Sequence, residues 1–496
     1  MKKKAYMNIF FSIVSQLISI LNGIVVPRLI LGTFGSEVNG LVNSLTQFLN
    51  YITLVEGGLG SVVLAALYAP LANNDNKKIN AVLNAANRFF KKIAYIFLVY
   101  TVILGIAYKF FIQSSFSQEY IFSLTLILGV GLFVQYCFSI TYKILLQADQ
   151  RIYNIYIVQI CTSIVSFILT CIIIYAFPSI HIVKLAGAMI YLLQPLFYSW
   201  YVKKHYKIDK KVLPDKGALS QRWACFGQNL AYFVHNNTDV VVLSIFANLK
   251  TVSVYSVHLM IVTSIKKFIM SISNAYTPII GRCLASNDKK ILDKHIDKFE
   301  FIMFNISTII FGCCTYLLPA FITLYTKGIK DINYYQPMFA ILLILAEFVY
   351  CVREPYLEVV YTAGKFKETA NSAYIEAGIN IILSIMLIGK FGLAGIACGT
   401  FAGMTYRMLY QVFYIKKHIA YRSEKKFVKR IFIAALIFII SPCIVHLFDR
   451  TGSGTVLLWI KNGVLCIVIY SIVALVLNLL IDREITKEMI KMLKKS

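Results

Sequence analysis

Leu67-Tyr68-Ala69-Pro70-Leu71-Ala72-Asn73-Asn74-Asp75-Asn76-Lys77-Lys78-Ile79 is a polar, basic stretch that closes a long apolar run. It returns later in the chain. Leu284-Ala285-Ser286-Asn287-Asp288-Lys289-Lys290-Ile291 repeats its second half with one residue fewer after the aspartate, and Tyr276-Thr277-Pro278 precedes it much as Tyr68-Ala69-Pro70 precedes the original. Two further pairs recur in the same order: Leu185-Ala186-Gly187 with Leu393-Ala394-Gly395, and Tyr201-Val202-Lys203-Lys204-His205 with Tyr414-Ile415-Lys416-Lys417-His418. The first and last pairs share an offset of 213 residues (284 against 71, 414 against 201), and the middle pair is offset by 208 (393 against 185). Three matches in order at nearly one spacing indicate an internal duplication with a short indel.

What is duplicated follows from composition. The chain is 58% hydrophobic and 15% charged, with a mean hydropathy of +0.71, whereas soluble domains carry about 25% charged residues. Apolar runs of about 20 residues, enough to span a bilayer, recur throughout. Fourteen spans are expected, near 6–31, 38–69, 93–112, 119–142, 152–177, 180–202, 223–247, 252–280, 299–325, 334–361, 369–388, 393–415, 431–448 and 456–481. The runs show no alternation, so they are helices and not barrel strands. Lys2, Lys3 and Lys4 before the first run resemble a signal peptide, but the run is long and no Ala-x-Ala follows, so a retained helix is expected. The cysteines, 11 in all, lie mostly inside apolar runs without a Cys-x-x-Cys, as small buried residues do.

The net charge of +26 would suggest nucleic acid in a soluble protein. Here it sorts by side. With the N-terminus inside, the segments on that side hold 36 of the 49 Lys+Arg and those on the other side hold 6. The positive-inside rule then puts both termini in the cytoplasm of a bacterial plasma membrane. Each repeat has six helices, an even number, so the repeats are parallel, related by an axis along the membrane normal. The expected organisation is a six-helix lobe at 1–202, a basic linker at 203–222, a second six-helix lobe at 223–418, two added helices within 419–481, and a basic amphipathic tail at 482–496. The connections 71–92 and 284–298 carry apolar residues at near-helical spacing (Ile79, Leu83, Phe90; Ile291, His295, Phe299) and are expected along the interface, as is the tail through Ile485, Met489 and Met492.

No phosphate-binding Gly-x-x-x-x-Gly-Lys-Ser/Thr, His-Glu-x-x-His or Gly-x-Ser-x-Gly motif is present, and no loop is long enough to fold into a catalytic domain. The reading is not an enzyme, with no cofactor and no metal site. A membrane glycan polymerase or ligase would need such a loop. If the protein moves something, the energy must come from H+ or Na+, from the membrane potential or from consumption of the cargo.

Charged residues inside a span cost about 2.5–3.5 kcal/mol each on insertion scales, so each is a candidate site. The span 223–247 is the most polar, with Asn229, His235, Asn236, Asn237, Thr238 and Asp239. Lys266 and Lys267 fall near the middle of the next; neighbours point about 100° apart, so one of them faces inward. Glu56 precedes Gly57, Gly58 and Gly60, Arg28 follows Pro27, and the tenth span holds Glu347, Arg353, Glu354 and Glu358. For Arg353, Glu354 and Glu358 an interhelical ion-pair network at the cytoplasmic end is expected, and Glu376 and Arg407 add charges to the two spans that follow.

Leu54-Val55-Glu56-Gly57-Gly58-Leu59-Gly60-Ser61, leading into Leu67-Tyr68-Ala69-Pro70-Leu71-Ala72, resembles the second helix and following loop of bacterial oligosaccharide-lipid flippases (Wzx type) of the multidrug/oligosaccharidyl-lipid/polysaccharide exporter superfamily. Pro27-Arg28-Leu29-Ile30 with Phe34-Gly35-Ser36-Glu37-Val38-Asn39-Gly40-Leu41 fits the end of the first helix. Arg353-Glu354-Pro355, Ala363-Gly364-Lys365, Glu376-Ala377-Gly378-Ile379-Asn380, Gly392-Leu393-Ala394-Gly395, Gly399-Thr400 and Arg407 fit helices ten to twelve. The resemblance implies two lobes around a central cavity, alternating access, and transfer of a polyprenyl-diphosphate-linked oligosaccharide to the outer leaflet for O-antigen, capsule or other surface polysaccharide. It also implies that the added helices form a groove for the lipid tail. The downstream glycan polymerase is a candidate partner, and a chain holding both lobes points to a monomer.

The residues supply matching chemistry. Arg28, Lys266 and Lys267 are the candidate cations for the diphosphate. Asn229, Asn236 and Asn237 are candidates for sugar hydroxyls, and Asp239 or Glu56 for a coupling ion or a charge pair. His235, Glu347 and Arg407 are secondary candidates. Alternatives of the same transport class are an ion-coupled multidrug exporter, which would favour carboxylates over cations, and a lipid-linked peptidoglycan precursor flippase.

Overall fold

The computed structural model describes residues 2–493 apart from 57–58, 216, 218–232, 234–236, 286–288, 366–367, 421 and 449–454. The described residues contain helices and no strand, and the chain is an all-α polytopic membrane protein. In order the helices are α1 (Lys2–Asn50), α2 (Ile52–Glu56), α3 (Leu59–Ala72), α4 (Asn76–Phe111), α5 (Gln118–Val134), a π-helical turn (Gln135–Ser139), α6 (Ile140–Ala148), α7 (Tyr153–Ala176), α8 (Ile180–Tyr191) and α9 (Leu193–His205). Then come α10 (Asn237–Phe246), α11 (Leu249–Ala285), α12 (Lys289–Tyr325), α13 (Pro337–Thr362), α14 (Ala370–Phe391), α15 (Leu393–His418), α16 (Glu424–Phe448), α17 (Val456–Ile481) and α18 (Arg483–Leu493).

Ten helical stretches among the described residues are long and apolar enough to cross a membrane. The first expected span and the start of the second run into one element, because α1 continues to Asn50 through a break at Gly35, whose φ of 81° suits a residue without a Cβ, and α2 and α3 hold the rest of the second. The helices α13 and α15 fall short on apolarity because they carry charge, and residues 346–357 of α13 are buried in protein, where charge can be paired.

The chain divides into two compact units, Met1–Ser256 and Val257–Ser496, and α11 runs from one into the other. In the first unit, residues 36–50 of α1 lie against α10 and the start of α11. Asn39 donates to Ser253 Oγ at 2.8 Å, and the Ser44 and Ser244 hydroxyls meet at 2.6 Å. Gly40 makes this approach possible: a Cβ there would sit 1.7 Å from the Leu249 carbonyl oxygen. In the second unit a glycine row at helical spacing, Gly395, Gly399 and Gly403, lays α15 against the backbone of α14, with Cβ positions 2.5–2.8 Å from its atoms.

The structure corrects the interfacial assignment of 71–92 and 284–298. These residues mostly begin two helices of 36 and 37 residues, α4 and α12, each about 54 Å long and well beyond a hydrocarbon core of about 30 Å. No proline or glycine interrupts α4 before Gly105, so the helix simply continues. Ile79, Leu83 and Phe90 face inward with Leu67, Val158 and Tyr198 in the apolar core of the first unit. Asp75 caps α4 by accepting from the Lys78 N–H. Beyond α9 the chain lies along the start of α4: Asn80 donates to the Lys207 carbonyl at 2.8 Å, and Asn84 donates to those of Asp209 and Val212.

Candidate functional site

One group of charges in the second unit gathers around α13. Lys266 of α11 is 9% exposed and its Nζ lies 2.9 Å from Glu347 Oε2. Three turns on, Thr277 donates to Glu358 Oε2 at 2.8 Å. Both pairs are separated by 81 residues, so α11 and α13 run parallel in register over about 16 Å. Tyr350, between them, has Lys266 Nζ 4.6 Å and Arg353 Cζ 4.8 Å from its ring centroid, a cation–π arrangement in a dry setting.

The other side of α13 faces α14 and α15. Arg353 Nη1 donates to Glu376 Oε1 at 2.7 Å, and Arg407 Nη1 to Glu376 Oε2 at 2.5 Å. One carboxylate thus joins three helices, with all three side chains almost fully buried. Glu354 is buried beside this group, and among the described residues no donor reaches its Oε2. Three cations (Lys266, Arg353, Arg407) therefore stand among four carboxylates (Glu347, Glu354, Glu358, Glu376).

The remaining candidates fall as follows. Lys267 is exposed, so one lysine of the adjacent pair is buried, as helical geometry requires. Arg28 is half-buried, with its guanidinium beside Gly32. Glu56 Oε2 accepts from Tyr136 Oη at 3.1 Å. Asp239 is 4% exposed and accepts from Tyr255 Oη at 2.8 Å. Asn237 donates to the Phe233 carbonyl one turn back at 2.9 Å, a bond that helical asparagines make locally. Asn229, His235 and Asn236 lie outside the described residues. Glu347 and Arg407, ranked second from sequence, hold Lys266 and Glu376 respectively.

A second ionic cluster went unread in the sequence. Asp293, Asp297 and Glu300 share one face of α12, and Arg422, Lys426 and Arg430 recur every four residues from just before α16 into its first turns. Arg422 reaches Asp297 at 2.9 Å and Glu300 at 2.5 Å; Arg430 reaches the same two at 2.6 and 2.8 Å. Lys429 pairs at 2.6 Å with Asp482, at the end of α17. The signal is two stripes of opposite charge at helical spacing, whose basic members also serve the positive-inside pattern.

The MatE family model matches residues 224–386, a range that includes Lys266, Glu347, Arg353 and Glu376 but not Arg407. No curated protein matches the chain. Among solved structures, the lipid II flippase MurJ in an inward closed conformation is similar at a TM-score of 0.74 and 17% identity, covering 93% of this chain and 98% of that one. An inward-facing multidrug resistance MATE transporter of the MOP superfamily is similar at 0.66 and 15% identity, covering 82% and 96%. The MATE multidrug transporter DinF-BH is similar at 0.61 and 16% identity, covering 84% and 95%. The fold is one shared by flippases and multidrug transporters of the membrane, and the chain carries it over nearly its full length.

Proposed function

We propose that this protein is a flippase that moves a polyprenyl-diphosphate-linked oligosaccharide from the cytoplasmic to the outer leaflet by alternating access, for surface polysaccharide synthesis. The basic ends of the helices, and both termini, are then cytoplasmic. The observation that carries the reading is the buried Lys266–Glu347 pair at 2.9 Å. A lysine held by one carboxylate at the middle of a long span is an exchangeable cation. A diphosphate brings more negative charge than Glu347 and binds such a cation by charge-assisted hydrogen bonds, with Arg28 and Lys267 as the further candidate cations. The carboxylate in excess around α13 suits H+ or Na+ coupling, as do Glu56 and Asp239.

The test is the lipid-linked glycan pool of cells with and without the gene. Loss should cause undecaprenyl-linked oligosaccharide to accumulate and the surface polymer to disappear, and Lys266→Gln should reproduce the loss. Normal surface glycan with increased sensitivity to cationic dyes would replace this reading with a drug exporter. A peptidoglycan precursor is the second cargo to test, because MurJ, which is similar over 93% of this chain, is named a lipid II flippase. It predicts lysis on depletion in place of a lost surface polymer.

A further inference from the structure

Within the first unit lies a cavity of about 390 Å³ that none of the charges above enters. Its size is that of a small-molecule site. Four helices turn polar stripes towards it. On α1 the stripe is Ser12, Ser15, Gln16 and Ser19, at spacings of three, four and seven; on α7 it is Tyr156, Gln159 and Ser163; on α8 and α9 it is Tyr191 and Gln194. On α1 and α7 the spacing puts the residues on one helical face. All four lie in stretches apolar enough to span the membrane, where a polar stripe against lipid is costly.

The last wall is the π turn. Gln135 and Lys143 are eight residues apart, which in a regular helix would set them about 80° apart. A π turn holds one residue more than an α turn, so eight residues act as about seven, close to two full turns. The insertion at Gln135–Ser139 therefore brings the amide and the ammonium to one face. Lys143 is the single charged residue in the cavity wall. Among the described residues no carboxylate pairs with it; its Nζ rests 5.6 Å from the ring centroid of Tyr198. Among the described residues, the side chains of Ser12, Ser15, Gln16, Ser19, Gln135 and Gln159 hydrogen-bond no protein group. Lys143 stands five residues, about 8 Å, before the end of α6 at Ala148, the end that the orientation proposed above makes cytoplasmic.

A lone ammonium in a cavity of uncommitted amides and hydroxyls calls for an anion with hydroxyls of its own. We infer that this cavity binds the phosphate-bearing, hydroxylated headgroup of a lipid, with Lys143 on the phosphate and the serine and glutamine stripes on the hydroxyls. The inference goes beyond the flippase reading, because a bilayer phospholipid meets its chemistry as well as the cargo does.

The test uses the full chain in phosphatidylcholine nanodiscs. Acetylation of Lys143 by acetic anhydride is read by mass spectrometry with and without farnesyl-diphosphate-linked N-acetylglucosamine in one arm and phosphatidylglycerol in the other. Protection in the first arm alone assigns the site to cargo; protection in the second alone assigns it to a resident phospholipid. Lys143→Gln should weaken retention of the protecting lipid by about tenfold or more, the worth of one charge-assisted hydrogen bond, and Lys143→Arg should keep it. Equal acetylation in both arms and in the lipid-free control overturns the inference, and this readout on the wild-type chain does not depend on any variant folding.

Discussion

Removing the Glu347 carboxylate would strand the Lys266 ammonium in protein. The loss of one partner of a buried pair costs about 3–5 kcal/mol, whereas replacing both by apolar residues of similar volume is often neutral or better. We therefore expect Glu347→Leu to lower the unfolding temperature sharply and Lys266→Met/Glu347→Leu to recover it. Glycan export should stay lost in the double variant, because its cation is gone. Recovery of export together with stability would show that the pair is structural. At this scale the sequence showed that Lys266 and Lys267 point apart, but not which is buried. That depended on Glu347, 81 residues away, and no local pattern encodes such a distance. The same holds for Glu376, whose two arginine partners lie 23 and 31 residues away on other helices.

Helix contacts separate two kinds of glycine. Gly40 lies where a Cβ would meet the Leu249 carbonyl at 1.7 Å, while Gly23, in the same helix, has nothing within 4 Å. Exchanging glycine for alanine inside a helix gains up to about 1 kcal/mol from propensity. Gly23→Ala should therefore be neutral or stabilising, and Gly40→Ala should force α1 away from α11 and lower the folded yield. Size-exclusion monodispersity and thermal unfolding decide it, and equal behaviour of the two variants would refute the close approach.

The last helix makes an ionic contact that should respond to pH. Glu488 of α18 pairs with Lys298 at 2.8 Å and Lys294 at 3.1 Å. Hydrogen bonds from Lys298 and then Lys294 hold its carboxyl below the ordinary value of 4.5. A depressed value means that docking is favoured by the ionised form: the contribution is fully present above 4.5 and lost as the pH falls through the lower, docked value. A spin label at Met492 should gain mobility on acidification through that range, and Glu488→Gln should show the gain already at neutral pH. A label equally immobile in both would leave the docking to Ile485, which is buried. The apolar side of this helix was legible in the sequence; its seat on α12 was not, because Lys294 and Lys298 read there as orientation charges.

For the molecule as a whole, the duplication and the charge bias make a topological prediction. Single cysteines at Lys204 and Lys417, matching positions of the two repeats, should react with a membrane-impermeant maleimide only after the membrane is opened. One at Lys330, between α12 and α13, should react in intact cells. The reverse pattern would invert the orientation, and reaction of Lys204 and Lys417 on opposite sides would refute parallel repeats.

Sequence alone determined that the chain is an all-α membrane protein and where most of the apolar helices among the described residues run, because apolarity sustained over a bilayer's thickness is written residue by residue along the chain. It also marked buried charge in α11, α13, α14 and α15, since each such residue is costly in lipid wherever it sits, but not the charges that α12 and α16 bury against each other. Only the tertiary structure decided which charges neutralise one another around α13, how Asp297 and Glu300 receive Arg422 and Arg430, and that Lys143 faces a polar cavity with no carboxylate beside it among the described residues. These are contacts between helices far apart in the chain. Their energies depend on distances of a few ångströms that only packing sets, and at Gln135–Ser139 on one extra residue in a helical turn that the apolar pattern does not reveal.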